Sequence, residues 1–117
     1  MEDGAKEKSK DFALRIVNLY KYLEKEHKEY VISKQVLRSG TSIGANLAEA
    51  ECTISKKDFT AKIYIALKEC SETRFWLELL YRSDYIDQKA YNSINSDCDE
   101  LMRMLSASTI ILTKGKK

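Results

Sequence analysis

The side chains of this 117-residue chain that could do chemistry are few: one histidine, His27, three cysteines, Cys52, Cys70 and Cys98, and carboxylates on helical patterns, Glu49, Glu69 and Glu72. Carboxylates projecting between facing helices are the ligands of di-iron bundles, but such a site takes a Glu-x-x-His from each of two helices. His27 has no counterpart, so no metal and no cofactor is expected. A Ser or Cys nucleophile needs an oriented base, and a single His at a helix end supplies no triad. The expectation is a protein that is not an enzyme.

Helical-bundle ribonucleases of the HEPN type carry an Arg followed four to six residues later by His, whereas Arg15 stands twelve residues before His27. The cysteines are odd in number, widely spaced and without a CxxC, which reads as buried reduced thiols rather than a disulfide framework or a zinc site. The structural reading of the carboxylates is a polar layer: Asn46 and Glu49 bond to the third helix, through Arg74 or Lys68, and with Glu69, Glu72 and Arg74 fix helix register.

These groups sit on helices. There is no proline, and glycine interrupts the helical patterns only at Gly40 and Gly44. Apolar residues at three- and four-residue spacing define four segments. The first runs from about Lys6 to His27 on Phe12, Ile16, Leu19, Tyr20 and Leu23; the second follows Ser33 as N-cap and carries Val36, Ile43, Leu47 and Ala50. The third is capped by Ser55 and carries Phe59, Ile63, Ala66, Leu67, Cys70, Leu77 and Leu80. The fourth runs from about Gln88 to Leu112. Short connections favour antiparallel neighbours, so the fold class is all-α, an antiparallel up-down-up-down four-helix bundle. It is one domain over 1–117, with its core at about 8–113 and a Lys-rich tail at 114–117.

The small residues from Ser39 to Ala50 are unusual inside a helix. Each glycine costs about 1 kcal/mol relative to alanine, and Gly40 and Gly44 share one face, so close approach of another helix must offset the cost. No Lys-Ser/Thr follows at phosphate-loop spacing. Tyr64, Phe75, Trp76 and Leu79 lie outside the main stripe of the third helix and make a surplus apolar band, expected to form a subunit interface.

Composition bounds the partners. At 44% hydrophobic and 32% charged the chain can bury a core. It has no apolar run long enough to span a bilayer and no apolar core of a signal peptide near Met1, so a cytoplasmic location and no membrane contact are expected. The net charge is +2; of twenty basic residues three lie in the tail, leaving 17 against 18 acidic ones. The body is not a strongly basic nucleic-acid binder. The basic groups that could touch phosphate are Lys34, Arg38, Lys56, Lys57 and Lys62, together with the tail lysines.

The run Ser33 to Ser39, the motif Ser42-Ile43-Gly44-Ala45-Asn46-Leu47-Ala48-Glu49, the segments Ser55 to Phe59 and Tyr64 to Glu69, and Glu72-Thr73-Arg74-Phe75-Trp76-Leu77 with Tyr85-Ile86 resemble the four-helix-bundle family named for proteins encoded in 23S ribosomal RNA intervening sequences. The resemblance covers about residues 10 to 112. The family often has proline where Gly44 stands, glycine where Ala50 stands and a second arginine where Leu37 stands; the last difference removes a positive charge. The resemblance implies a homo-oligomer, with pentameric rings in the family, and mostly no assigned activity. A similar bundle is the accessory protein of diversity-generating retroelements, where a basic oligomer engages a reverse transcriptase and nucleic acid. The expected function is a non-enzymatic homo-oligomeric scaffold or adaptor associated with RNA or ribonucleoprotein. The alternative is a protein-only interaction module.

Overall fold

A computed structural model describes residues 3–114, which form four helices: α1 (Asp3–His27), α2 (Ile32–Ala50), α3 (Lys56–Arg82) and α4 (Gln88–Lys114). Of the tail, Lys114 closes α4, while Lys116 and Lys117 lie outside the described residues. The molecule measures 49 × 22 × 20 Å. Each helix packs on the next in sequence, and α4 closes on α1 through a thinner contact.

Cross-helix neighbours fix the directions. Along α1 from Ser9 to Ile16, the α2 partners run backwards from Gly44 to Gly40. On α3, Lys62 meets Glu49 and Glu72 meets Arg38 of α2. On α4, Asp99 meets Arg74 while Tyr91 stacks on Tyr81 of α3. Every neighbouring pair is therefore antiparallel, and the up-down-up-down order holds.

The core takes one stripe from each helix. Phe12, Ile16 and Leu23 of α1, Val36, Ile43 and Leu47 of α2, Ile63, Cys70, Leu77 and Leu80 of α3, and Cys98, Leu101 and Leu105 of α4 are fully buried. Their three-four spacing puts them on one side of each helix, so burying them requires no distortion.

Helix ends show where local chemistry departs from expectation. Ser55 caps α3 as expected, its Oγ accepting from the Asp58 N–H at 3.0 Å. Ser33 is not the N-cap of α2. It is buried inside the first turn, and its hydroxyl donates to the Glu29 carbonyl at 2.8 Å. The orphan amides of Val31, Ile32 and Ser33 instead donate to the Glu29 carboxylate at 3.2, 3.0 and 2.7 Å. A carboxylate at a helix start satisfies several amides and complements the dipole, which one hydroxyl cannot. Helices α1 and α3 end on Lys28 and Asp84 with positive φ, and the following amides bond back to Leu23 and Leu80, the Schellman arrangement without glycine.

Candidate functional site

The small-residue segment is a helix-packing site. At Gly40, α2 comes so near α1 that an added β-carbon would lie 2.7 Å from Ile16 Cγ1 and 2.9 Å from Cγ2. At Gly44 it would lie 3.2 Å from Ser9 Oγ. On the other flank of α2, the buried Ser39 Oγ sits 2.9 Å from Thr73 Oγ1 of α3, which also contacts the Glu69 carbonyl at 2.7 Å. This buried hydroxyl pair was not legible from apolar periodicity.

The structure redistributes the expected polar layer. Asn46 donates to the Ser42 carbonyl and hydroxyl of its own helix at 2.9 and 3.0 Å. Glu49 reaches α3 as expected, but its partner is Lys62, at 2.6 Å, rather than Arg74 or Lys68. Glu69 and Glu72 both face Arg38: Glu72 by a direct ion pair, Glu69 at 3.5 Å. Glu72 Oε2 also accepts from Trp76 Nε1 at 2.9 Å. Arg74 lies on the other flank of α3, where it pairs with Asp99 of α4 at 3.0 Å.

The five basic residues do not form one patch. Arg38 and Lys62 are neutralised by the glutamates just named. Lys34 begins α2 and Lys56 and Lys57 begin α3; because the two helices are antiparallel, these starts lie at opposite ends of the bundle. Lys34, Lys56 and Lys57 are exposed and form no ion pair among the described residues.

A second charged cluster, absent from the sequence reading, clamps α1 to α4. Arg15 pairs with Asp97 at 2.7 Å and contacts Ser93, and Lys8 reaches Asp97 at 3.5 Å and Glu100 at 3.1 Å. Burial opposes the charge on Asp97, yet Arg15 and Lys8 outweigh it and hold the carboxyl below its ordinary range. Beside this cluster a 370 Å³ cleft between α1 and α4 has Leu19, Ile86 and Ile94 in its walls and Arg15, Tyr22 and Asp87 among its polar groups.

The outer aromatic residues divide. Tyr64 and Phe75 are exposed, Phe75 at 57%, whereas Trp76 and Leu79 are half-buried, Trp76 against the core. Phe75 meets Trp76 edge-on at 4.9 Å. Phase along α3 explains the split: Trp76 turns toward α2 and Phe75 turns outward.

Of the three thiols expected to be buried, Cys70 and Cys98 are buried, whereas Cys52, just past the end of α2, is exposed. Contact with Cys98, then burial, pushes the Cys70 thiol well above its ordinary value, so it stays protonated. The His27 ring lies edge-on between Tyr22 and Tyr85 and contacts the Tyr22 hydroxyl at 3.1 Å. Among the described residues no group of three His, Cys, Asp or Glu is placed to hold a metal ion, and no helix is long and apolar enough to cross a membrane.

Fold and surfaces together define an antiparallel four-helix-bundle protein. The chain belongs to the 23S rRNA-intervening sequence protein family, which it matches over residues 4–107. It is similar to a protein of unknown function from the S23 ribosomal protein family of Bacteroides thetaiotaomicron VPI-5482, at 56% identity and a TM-score of 0.89, covering 90% of this chain and 97% of that one. No curated protein matches the chain.

Proposed function

We propose that this protein is a non-enzymatic scaffold that self-associates and holds RNA or a ribonucleoprotein by multivalent contact. The observation that carries the proposal is the exposure of Phe75 and Tyr64 on α3 beside a core that is complete without them. Exposed aromatic groups are the residue types that anchor interfaces. Family resemblance implies a pentamer. Lys56 and Lys57 at one end supply a modest charge per copy, which assembly multiplies, and phosphate affinity grows with the number of charges neutralised. Light scattering at micromolar concentration should give a multiple of 13.5 kDa. Filter binding of ribosomal RNA fragments should weaken steeply as salt rises, and Lys56→Glu with Lys57→Glu should abolish retention.

A second reading, a protein-only module, is favoured by the neutralisation of Arg38 and Lys62 within the bundle. Retention of a partner in pull-downs after nuclease treatment, with no salt-sensitive RNA binding, would select it.

A further inference from the structure

We infer that the cleft between α1 and α4 binds a small organic cation, an ammonium group carried on an apolar body. The inference is independent of self-association and of RNA. The α1–α4 seam is the thinnest contact of the bundle, and above the Arg15–Asp97 clamp the two helices leave a cleft of 370 Å³. That volume falls within the range of small-molecule sites, about 300–1,000 Å³. Its floor is apolar: Ile86 and Ile94 are buried and Leu19 half-buried. Asn18 and Ala90 stand exposed at the rim, and their short side chains leave the floor uncovered.

The charges at the two ends of the cleft select the ligand. At the lower end the Arg15 guanidinium is already committed, to Asp97 at 2.7 Å and to the Ser93 hydroxyl and carbonyl at 3.0 and 3.3 Å. Lys8 and Glu100 complete that cluster, so its two cations and two carboxylates balance and it offers little to an anion. Two turns further along α1, Tyr22 stands level with Asp87, two turns back along α4 from Ser93. Asp87 Oδ1 accepts from the Ala90 amide at 2.8 Å, capping α4, and its second oxygen is free. Among the described residues Asp87 forms no ion pair. The α4 dipole offsets part of its charge, yet it is the one charged group of the cleft without a charged partner. Tyr22 adds an aromatic ring at the same end, fixed edge-on against His27 with its hydroxyl 3.1 Å from the imidazole. A carboxylate beside an aromatic ring favours an ammonium by ion pairing and by cation–π attraction. From Tyr22 to Arg15 the cleft runs about 10 Å at 1.5 Å per residue, so a phenyl ring on a four-carbon chain spans it, lying on Leu19 and Ile94. Asn18, which has no side-chain partner among the described residues, offers a further hydrogen bond at the rim.

The test titrates the full chain with three probes of one shape and different charge, phenylbutylamine, phenylbutyrate and butylbenzene, while isoleucine methyl resonances are followed by NMR. Phenylbutylamine should shift Ile86 and Ile94 saturably and leave Ile54 and Ile110, at the other end of the bundle, in place. Phenylbutyrate and butylbenzene should bind at least about fivefold more weakly. Asp87→Asn keeps a side chain that caps α4 and removes the charge, so it should weaken phenylbutylamine by about fivefold. Ala90→Trp should fill the cleft from its rim and abolish the saturable shifts, with the helical circular dichroism unchanged. Shifts that fail to saturate, or that spread to Ile54 and Ile110, overturn the site. Equal binding of phenylbutyrate or butylbenzene, or undiminished affinity in Asp87→Asn, overturns the cationic ligand.

Discussion

Gly40 stands against Ile16 with no room for a β-carbon: the added atom would lie 2.7 Å from Ile16 Cγ1 and 3.1 Å from Cδ1. Ile16 is wholly buried and β-branched, so it cannot swing aside. Gly40→Ala gains about 1 kcal/mol of helix propensity and meets an overpacking cost of about 1–3 kcal/mol. The expected net is a loss of up to about 2 kcal/mol. Gly44→Ala meets only Ser9 at 3.2 Å, and its expected change lies within about 1 kcal/mol of zero, because the propensity gain offsets a milder crowding. Urea denaturation of both variants checks the contrast; equal behaviour would remove the assigned role of Gly40.

The Ser39–Thr73 pair predicts non-additivity. Thr73→Val alone leaves the buried Ser39 hydroxyl without its partner and should cost about 1–3 kcal/mol. Ser39→Ala with Thr73→Val should cost less than the sum of the single changes, by at least about 0.5 kcal/mol. A double-mutant cycle in denaturant reads the coupling directly.

Glu29 predicts acid sensitivity at the start of α2. Burial pushes its pKa up, but the amides of Ile32, Ser33 and Val31 and the Ser33 hydroxyl outweigh that and hold it below the ordinary carboxylate range. The folded value is lower than the unfolded one, so the unfolded chain binds the proton first. The stabilisation is full above about pH 4.3 and is lost as pH falls through the folded value. Glu29→Ala should cost about 1 kcal/mol at neutral pH and flatten this part of the profile. Thermal melts from pH 7 to pH 3 measure it, with Asp97 adding a loss of the same sign.

Phe75 and Trp76 are neighbours in sequence with different expected consequences. Phe75→Asp should disperse the proposed assembly while the melting temperature of the subunit holds nearly constant, because the ring is 57% exposed. Trp76→Ala removes a ring packed against the core and one of two donors to Glu72 Oε2, which keeps Arg38. Its expected cost is about 2–4 kcal/mol. Circular dichroism and light scattering on both variants separate the effects; loss of assembly only in Trp76→Ala would reassign the interface.

Four helices, their order and most of the core were legible in the sequence because helical burial is a local periodic property. Phe12, Ile16 and Leu23 recur on one face whatever lies opposite, and Ser55 caps α3 through its own backbone. The small residues from Ser39 to Ala50 likewise announced a close helix contact, since only such a contact offsets two glycines. The sequence alone did not decide which helix approached or which charges met. Arg38 could be read as a phosphate contact until the register of α2 on α3 set it against Glu69 and Glu72. Lys34 and Lys57 read as one basic group until antiparallel packing sent them to opposite ends. Phe75 and Trp76 read as one aromatic pair until the rotation of α3 turned one outward and the other toward the core. Composition and spacing determined that the chain makes amphipathic helices of a recognisable family. The tertiary structure decided the pairings, because they depend on the axial register and rotation of each helix against its neighbours, which no local pattern encodes.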